Sequence, residues 1–282
     1  PYATAELNGG TINADYSDNS LEGNVTWDGT EFNGTVAAIR TYGPGEFTMH
    51  SGEINLTGEE YEFDGETIQG NAAFEANGSG KILGGSINIT NGVFRNNMSI
   101  GIEGGEITIN NDWDGLPASE NNLYLPIVGG TVDVTAKGVA IQNSGTFHQM
   151  SGIVTVANTD DDNDNSDVPT IHSTGSLLIN DGIMDVTGGY YGIIQNYNFE
   201  LAEDEIEDNE SVLYVGAMEE GQEPTLNIRG SKMGIYASAP VDFQQNAHVN
   251  IDVEGTPDAD SRDWPTALFI DNFDVDVASL TI

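Results

Sequence analysis

Apolar and polar positions alternate along most of this chain, in short runs that end at glycine or at a small polar residue. The stretch "GVAIQNSGTFHQMSGIVTV" at 138–156 shows the pattern: apolar residues recur at every second position, and small turn-forming residues interrupt them twice. A period of two is typical of strands in which one side chain is buried and the next faces solvent. This stretch therefore predicts three short strands joined by tight turns.

The same pattern recurs along the chain. Clear copies occupy 36–56, 72–89, 92–109 and 169–186, and looser copies occupy 233–252 and 266–282. Compact copies run over about 20 residues, a period at which self-similarity is typical of solenoids. We therefore predict an all-β fold, a parallel β-helix solenoid with about three short strands per turn. The general preference of parallel crossovers makes it right-handed, and 1–282 forms a single domain.

Equivalent residues of successive turns should stack in columns about 4.8 Å apart. We expect hydrogen bonds along one column of turn residues, which holds Thr41, Asn96, Asn143, Ser173, Asn196, Ser238 and Asn272. A second column, predicted to be an exposed charge ladder, holds Arg40, Glu75, Arg95, Gln142, His172 and Gln195. The segment 110–122, "NDWDGLPASENNL", fits the repeat badly and is predicted to be a distorted turn or loop.

The charge balance excludes some classes of partner but says little about the fold. Seven Lys and Arg residues against 46 Asp and Glu residues give a formal net charge of −39, which also favours solubility in salt. Such a surface repels nucleic acid and anionic membranes, so we expect neither as a partner. No apolar run is long enough to span a membrane. The chain ends within an alternating pattern, and we expect it to be a piece of a larger protein.

Motifs of the enzymes that share this fold are not recognisable in the sequence. "NTDDD" at 158–162 matches one element of polygalacturonases, but no histidine is flanked by glycines and no Arg-Ile-Lys follows. A pectate-lyase type of site needs an arginine base beside calcium-binding acids, and the four arginines do not lie in that context. We therefore expect no catalytic residues.

The run "TDDDNDNSD" at 159–167 is the densest group of acids. Asp160, Asp162 and Asp164 alternate as the oxygen ligands of a calcium loop do, but the glycine and the glutamate of that loop are missing. A solvated insertion is the simpler interpretation, and a weak calcium site is the alternative. No other cofactor is expected.

Lysines are scarce, which makes their positions informative. Aligning "AKGVAI", "GYYGII" and "SKMGIY" on their apolar residues stacks Lys137, Tyr190 and Lys232 in one column. A tyrosine ring packs on a sugar face, and ammonium groups pair with uronate or sialate. The column is therefore a candidate binding strip for acidic sugar, with ordinary exposed strand-edge residues as the alternative interpretation.

The repeat resembles those of β-helical surface proteins of Gram-positive bacteria. The C-terminal stretch "GIYASAPVDFQQNAHVNIDVEGTPDADSRDWPTALFIDNFDVDVASLTI" more specifically resembles the pectate lyase-like adhesive domain of lactobacilli, a family that includes the binding regions of serine-rich repeat adhesins. The resemblance implies an extracellular adhesin, anchored to the cell wall through regions outside this chain. Its solenoid would bind host mucin-like glycoprotein or plant polysaccharide without cleaving it.

Two other classes of function remain open: a β-helix carbohydrate-active enzyme of the pectate lyase or polygalacturonase type, and a passive stalk segment. For the adhesin we expect stronger binding in acid, because loss of carboxylate charge removes repulsion from anionic glycans. Acids stacked in adjacent turns should add to this effect by raising one another's pKa. The same loss of repulsion also predicts self-association at acidic pH.

Overall fold

The computed structural model describes residues 4–15, 26–27, 30–31, 36–63, 66–70, 72–113, 117–160, 168–196, 211–244, 246–254, 265–270 and 280–281. These residues form strands, turns and extended segments, and none of them is helical. The all-β prediction is therefore confirmed.

The strands are short, as the spacing of glycines and small polar residues predicts. In chain order they are β1 Thr4–Asp15, β2 Thr26–Trp27, β3 Thr30–Glu31, β4 Val36–Thr57, β5 Glu59–Phe63, β6 Glu66–Gly70, β7 Ala72–Ile82, β8 Ser86–Thr90, β9 Gly92–Asn96, β10 Ser99–Ile102, β11 Glu106–Asn111, β12 Ser119–Asn121, β13 Tyr124–Ile127, β14 Thr131–Ala136, β15 Ile141–Asn143, β16 Thr146–Gln149, β17 Ile153–Asn158, β18 Pro169–Ser173, β19 Ser176–Ile179, β20 Ile183–Thr187, β21 Tyr191–Gln195, β22 Leu213–Val215, β23 Thr225–Ser231, β24 Met233–Ala237, β25 Val241–Phe243, β26 His248–Val253, β27 Thr266–Ile270 and β28 Leu280–Thr281.

From β9 onward each strand pairs in parallel with the strand three places later. One turn of the chain, which we call a rung, therefore contains three strands, and the rungs stack as three parallel ladders. The first ladder contains β9, β12, β15, β18, β21, β24 and β27; the second contains β10, β13, β16, β19, β22, β25 and β28; the third contains β8, β11, β14, β17, β20, β23 and β26. The long strands bend to supply more than one ladder: β1 and β7 supply two each, and β4 supplies all three. A parallel β-helix with three strands per rung is confirmed.

Because inward-facing and outward-facing positions alternate along each strand, the inward-facing columns stack apolar side chains on one another. In the third ladder Ile87, Ile107, Val132, Val154, Met184 and Leu226 lie at paired positions and are buried. In the first ladder the rings of Phe74 and Phe94 stack with centroids 5.1 Å apart. A single rung has too little apolar surface to fold alone, so the stack of rungs supplies the stability.

A buried amide ladder lies at the inner corner between the first and second ladders. Asn96 Nδ2 donates to Asn121 Oδ1, and Asn121 Nδ2 donates to Asn143 Oδ1, both at 2.7 Å. Asn143 Nδ2 then donates to Ser173 Oγ at 3.0 Å. These four side chains are 0 % exposed, and each rung accepts a hydrogen bond from the side-chain amide of the rung before it. Hydrogen bonding along the predicted column is present over these rungs.

The register of this column differs from the predicted one in its later rungs. Ser173 pairs with Gln195, and Gln195 pairs with Ala237, so Asn196 and Ser238 lie one residue beyond the column. Gln195 reaches into the corner with a longer side chain, where Nε2 donates to Gly175 O at 2.7 Å and to Ser211 Oγ at 2.9 Å. Asn272 lies outside the described residues.

The prediction of a distorted turn or loop at 110–122 was wrong at both ends of the segment. Asn110 and Asn111 complete β11, and Ser119–Asn121 is β12, a regular strand of the first ladder. Asn121 supplies a central member of the buried amide ladder. The other described residues of the segment, 112–113, 117–118 and 122, are not in strands.

Glycines form a column at the corner between the second and third ladders. Gly85, Gly105, Gly130, Gly152 and Gly182 have φ between 81° and 89°, a left-handed conformation that side chains disfavour. A Cβ at Gly152 would lie 2.6 Å from Gly130 O of the preceding rung. Both the conformation and the close approach therefore require glycine at this corner.

We predict that Asn121→Ala lowers the free energy of unfolding by about 2–4 kcal/mol. The substitution removes two buried hydrogen bonds and leaves the amide of Asn96 and the carbonyl of Asn143 without these partners. Asn122→Ala is the matched control, because Asn122 is exposed and its Nδ2 donates to Asn97 Oδ1 at 2.7 Å. We expect it to cost less than about 0.5 kcal/mol. Equal effects in urea denaturation would contradict a stabilising role for the buried ladder.

Candidate functional site

The outward-facing column of the first ladder changes its chemistry along the solenoid. In paired order it contains Arg40, Glu75, Arg95, Glu120, Gln142, His172, Ile194, Tyr236 and Phe269. The first four residues are charged, the next two are polar and the last three are apolar or aromatic. One flank of the molecule thus presents an ionic end and an aromatic end.

The ionic end is a continuous network. Glu75 accepts from Arg40 Nε at 2.5 Å and from Arg95 Nη1 at 2.7 Å, and Arg95 Nε donates to Glu120. The hydrogen bond to Glu120 raises the pKa of Arg95 against the opposing effect of its partial burial. Signs alternate in successive rungs, so the network stabilises the stacking.

The predicted charge ladder needs three corrections. Glu120 belongs to the column and was missed, because its strand lies in the segment taken for a loop. Ile194 occupies the place assigned to Gln195, whose side chain is buried on the inner side. The ladder is also not fully exposed, since the Glu75 side chain is only 7 % exposed.

His172 lies between the ionic and aromatic ends. Asn196 Nδ2 is 3.5 Å from its Nε2, and burial lowers the pKa of His172. In acid the unfolded chain therefore takes up a proton on this residue before the folded chain does. Its contribution to stability is present above about pH 6.5 and is lost as the pH falls below that value.

At the aromatic end, four rings follow one another over three rungs. We call Tyr190, Tyr191, Tyr236 and Phe269 the aromatic strip. Centroid distances are 4.7 Å between Tyr190 and Tyr191, 5.8 Å between Tyr191 and Tyr236, and 5.6 Å between Tyr236 and Phe269. Phe269 is 43 % exposed, while Tyr191 and Tyr236 are partly exposed. The strip combines apolar ring surface with phenol groups, a combination suited to the apolar faces and hydroxyl edges of sugars.

Lys232 and Tyr190 come together as the sequence predicts. Lys232 Nζ lies 5.2 Å from the centroid of the Tyr190 ring, within the range of a cation–π interaction. Tyr190 itself is only 9 % exposed, because it packs beneath this ammonium group and beside Tyr191. The accessible aromatic surface therefore lies on the other rings of the strip.

Lys137 does not lie on the column of Tyr190 and Lys232. Ala136 pairs with Asn158 and Ala157 pairs with Thr187, which aligns Lys137 with Gly189, one residue before Tyr190. Lys137 is also two rungs away, about 10 Å along the axis. The sequence alignment was shifted by one residue because Lys137 follows its strand directly, while an insertion separates the next two strands.

Tyr191, Tyr236 and Phe269 were missed by the sequence analysis. Tyr236 and Phe269 occupy the same place in "GIYA" and "ALFI", so the aligned repeats carry that signal. Tyr191 lies at a different strand position and joins them only through its ring contact with Tyr236. That contact depends on side-chain direction and is not encoded in the repeat.

Of the predicted calcium ligands, the structure describes Asp160 alone; Asp162 and Asp164 lie outside the described residues. The Asp160 backbone N–H donates to Asn158 Oδ1 at 2.8 Å, which closes the turn after β17. Within the described ranges, no group of three or more His, Asp or Glu side chains could hold a metal ion. The calcium site stays a prediction.

Carboxylates do not stack directly on carboxylates at the paired strand positions of the described residues. Asp133 pairs with Thr108 and Thr155, and Asp185 pairs with Thr155 and Asn227. Asn227 Nδ2 donates to Asp185 Oδ1 at 2.7 Å. The stacking of acid on acid that the sequence analysis expected is therefore absent from these strands.

Comparison of the chain with protein-family models, with curated proteins and with solved structures gave no match. The resemblance to the adhesive domains of lactobacilli therefore stays a prediction. A search of the described residues for a helix capable of crossing a membrane found none.

We predict that Arg95→Ala lowers the free energy of unfolding by about 2–3 kcal/mol, because it leaves the largely buried carboxylates of Glu75 and Glu120 without their shared partner. Lys81→Ala is the control. It removes a pair of the same 2.7 Å length whose side chains are 54 % and 38 % exposed, and we expect no measurable change. Thermal unfolding of both variants tests the difference. Similar losses would contradict a special role for the half-buried network.

Proposed function

We propose that this solenoid is the non-catalytic binding region of an extracellular, cell-surface adhesin, and that it binds glycans or glycoproteins through the aromatic strip. The strip is the observation that carries the proposal. It presents a row of rings on a parallel sheet in which β24 is paired with β21 on one side and with β27 on the other. A rigid platform loses little entropy when a flexible glycan binds to it.

The ligand class follows from the chemistry of the strip. Phe269 supplies accessible apolar surface for a pyranose face, and Lys232 supplies a cation beside the rings. Lysines and arginines number only seven, so a cation beside a row of rings is a distinctive local feature. Mucin-like chains bearing sialate and pectin-like chains bearing uronate have both the apolar face and the anionic group.

The described outward positions on the last rungs of the first ladder add no opposing charge. Beside the column of Ile194, Tyr236 and Phe269, the next outward column contains Pro169, Tyr191, Met233 and Thr266. An anionic sugar on the strip would therefore meet no carboxylate among these residues, although the molecule as a whole is strongly acidic. The neutral side chains at these described positions support binding at the strip.

We expect the double variant Tyr236→Ala, Phe269→Ala to weaken binding to oligogalacturonide or mucin by at least about tenfold, since each lost stacking contact is worth about 1 kcal/mol. Tyr214→Ala is the matched control, because Tyr214 is partly exposed but lies in the second ladder. Affinities are measured by surface plasmon resonance after a glycan array has identified the ligand. Equal losses in both variants would show that the strip is not the site.

Lysine variants distinguish a binding site confined to the aromatic strip from the larger site, including Lys137, that the sequence predicts. Lys232→Ala should weaken binding of acidic glycans and leave neutral ones unaffected. If the site is confined to the strip, Lys137→Ala changes neither; if Lys137 also contacts the ligand, both variants weaken acidic glycans. If Lys232→Ala kept wild-type affinity for acidic glycans, the Lys232 ammonium group would have no part in the proposed site.

Binding is proposed to be stronger in acid. Asp and Glu have reference pKa values of about 3.9 and 4.3, so much of the charge of −39 is lost as the pH falls below about 5. The loss of this charge removes long-range repulsion from anionic glycans, while the lysines stay protonated. Affinity for oligogalacturonide should therefore be higher near about pH 4.5 than near about pH 7.4.

Circular dichroism at both pH values controls for unfolding, because the lowered pKa of His172 makes the fold less stable in acid. Light scattering controls for self-association, which would imitate adhesion on a surface. Equal affinity at both pH values for a folded monomer would contradict the pH dependence.

A carbohydrate-active enzyme of the same fold is the second candidate. One arrangement on the second ladder favours it: Tyr124 Oη donates to His148 Nδ1 at 3.4 Å, while His148 Nε2 donates to Asn180 Oδ1. This tautomer leaves Nδ1 as the basic nitrogen beside a partly exposed phenol, an arrangement that general-base chemistry can use. New reducing or unsaturated ends after incubation with pectin would establish the enzyme, and binding without product would exclude it for that substrate.

A further inference from the structure

One stretch of the second ladder carries no Asp, Glu, Lys or Arg. It comprises the strands β10, β13, β16 and β19 and the residues directly beside them, within 96–102, 121–130, 143–153 and 173–180. These four segments of successive rungs lack charge although charged residues make up 19 % of the chain, and Glu103 and Asp181 lie directly beyond two of them. We call this surface the neutral face.

The neutral face also exposes apolar side chains along both of its edges. Met98 and Leu123, 45 % and 50 % exposed, lie at the corner that leads from the first ladder. Val128 and Met150, 46 % and 38 % exposed, lie at the corner that leads to the third ladder. Pro126, His148 and Leu178 lie between them at paired positions of the strands. Exposed apolar residues that cluster in this way mark an interaction surface.

The side chains of this face suit a protein partner better than a sugar. Leucine, valine and methionine offer flexible aliphatic surface, and methionine is enriched in protein interfaces. Aromatic rings, which stack on sugars, are instead concentrated in the aromatic strip on the first ladder. The two surfaces therefore have different chemistry and lie on different faces of the solenoid.

The negative charge of the molecule limits which proteins can bind to the neutral face. A basic partner would be drawn to the acidic remainder of the molecule and would find no counter-charge on the neutral face. Another copy of this chain carries the same charge of −39 and can approach closely only where both surfaces lack acids. The neutral face lacks acids, so two copies of the chain can meet through it. Pairing of the same surface on both subunits gives a closed dimer with two-fold symmetry.

We propose that two copies of this chain associate through their neutral faces. The face extends over four rungs and about six residues across, roughly 20 Å by 20 Å, and so supplies on the order of 400 Å² from each copy. A total of about 800 Å² is below the size of stable interfaces, which makes the dimer weak and reversible. Acids at the rim of the face, such as Asp181, repel one another across the dimer, whereas Glu103 is paired with Lys81. Salt therefore strengthens the association.

Sedimentation equilibrium of the full chain tests the proposal. At neutral pH the weight-average mass should rise above 30.0 kDa with concentration, with a dissociation constant on the order of 0.1 mM. Raising the salt from about 0.05 M to about 1 M should tighten the dimer several-fold by screening the rim. A mass that stays at 30.0 kDa up to about 1 mM protein, or a dimer that dissociates as salt is added, would overturn the proposal.

Two variants that add the same charge locate the interface. Leu123→Glu places a carboxylate on the neutral face and should weaken the dimer at least tenfold. Met218→Glu places it on a side chain that is 70 % exposed in the turn between β22 and β23, and should leave the dimer unchanged. An equal loss in both would place the contact elsewhere. Glycan binding by both variants should match the parent chain, so failure of the dimer and failure of the aromatic strip remain distinguishable.

Discussion

The structure depends on one constraint: every residue of a strand lies about 4.8 Å from its counterpart in the next rung. A side chain must therefore be compatible with the side chain that follows it in the stack, and neighbouring members of a column share a compatible chemistry. Isoleucine and valine pack on themselves in the core, and asparagine amides donate and accept in turn. Glycine lets backbone approach backbone at a tight corner. The fold is a set of such columns wound around one axis.

This constraint is most severe for charge, because the chain carries 46 acidic residues. Stacked carboxylates would repel at close range in every rung. The strands of the three ladders avoid this by pairing each acid with a cation, an amide or a hydroxyl: Glu75 lies between two arginines, and Asp185 accepts from Asn227 and from Arg229. On these ladders the carboxylates are therefore separated from one another, and their field acts on distant partners more than on the stacking of the rungs.

The sequence predicts the columns well where the period is regular and poorly where it is not. The alternation of apolar residues is sufficient to predict three strands per rung, and Asn96, Asn143 and Ser173 are found in the predicted amide column. Errors begin at the insertions. Gln195 takes the place expected for Asn196 because a longer amide can reach the same corner, and Lys137 is displaced by one residue in the alignment of the repeats. The aligned repeats place Tyr236 beside Phe269, but they cannot reveal the contact of Tyr191, which lies at a different strand position.

The stacking constraint does not explain why the neutral face lacks charge. Alternating signs are tolerated in successive rungs, as the Arg40, Glu75, Arg95 and Glu120 network shows on the neighbouring ladder. A fully hydroxylated or amide-bearing column is tolerated as well, so the fold does not require exposed Leu123 or Met150. Exposed aliphatic side chains in a strongly acidic protein therefore call for an explanation other than folding. A contact that excludes water from those side chains provides one, and it needs no more than the flat, repeating surface that the stacked rungs already present.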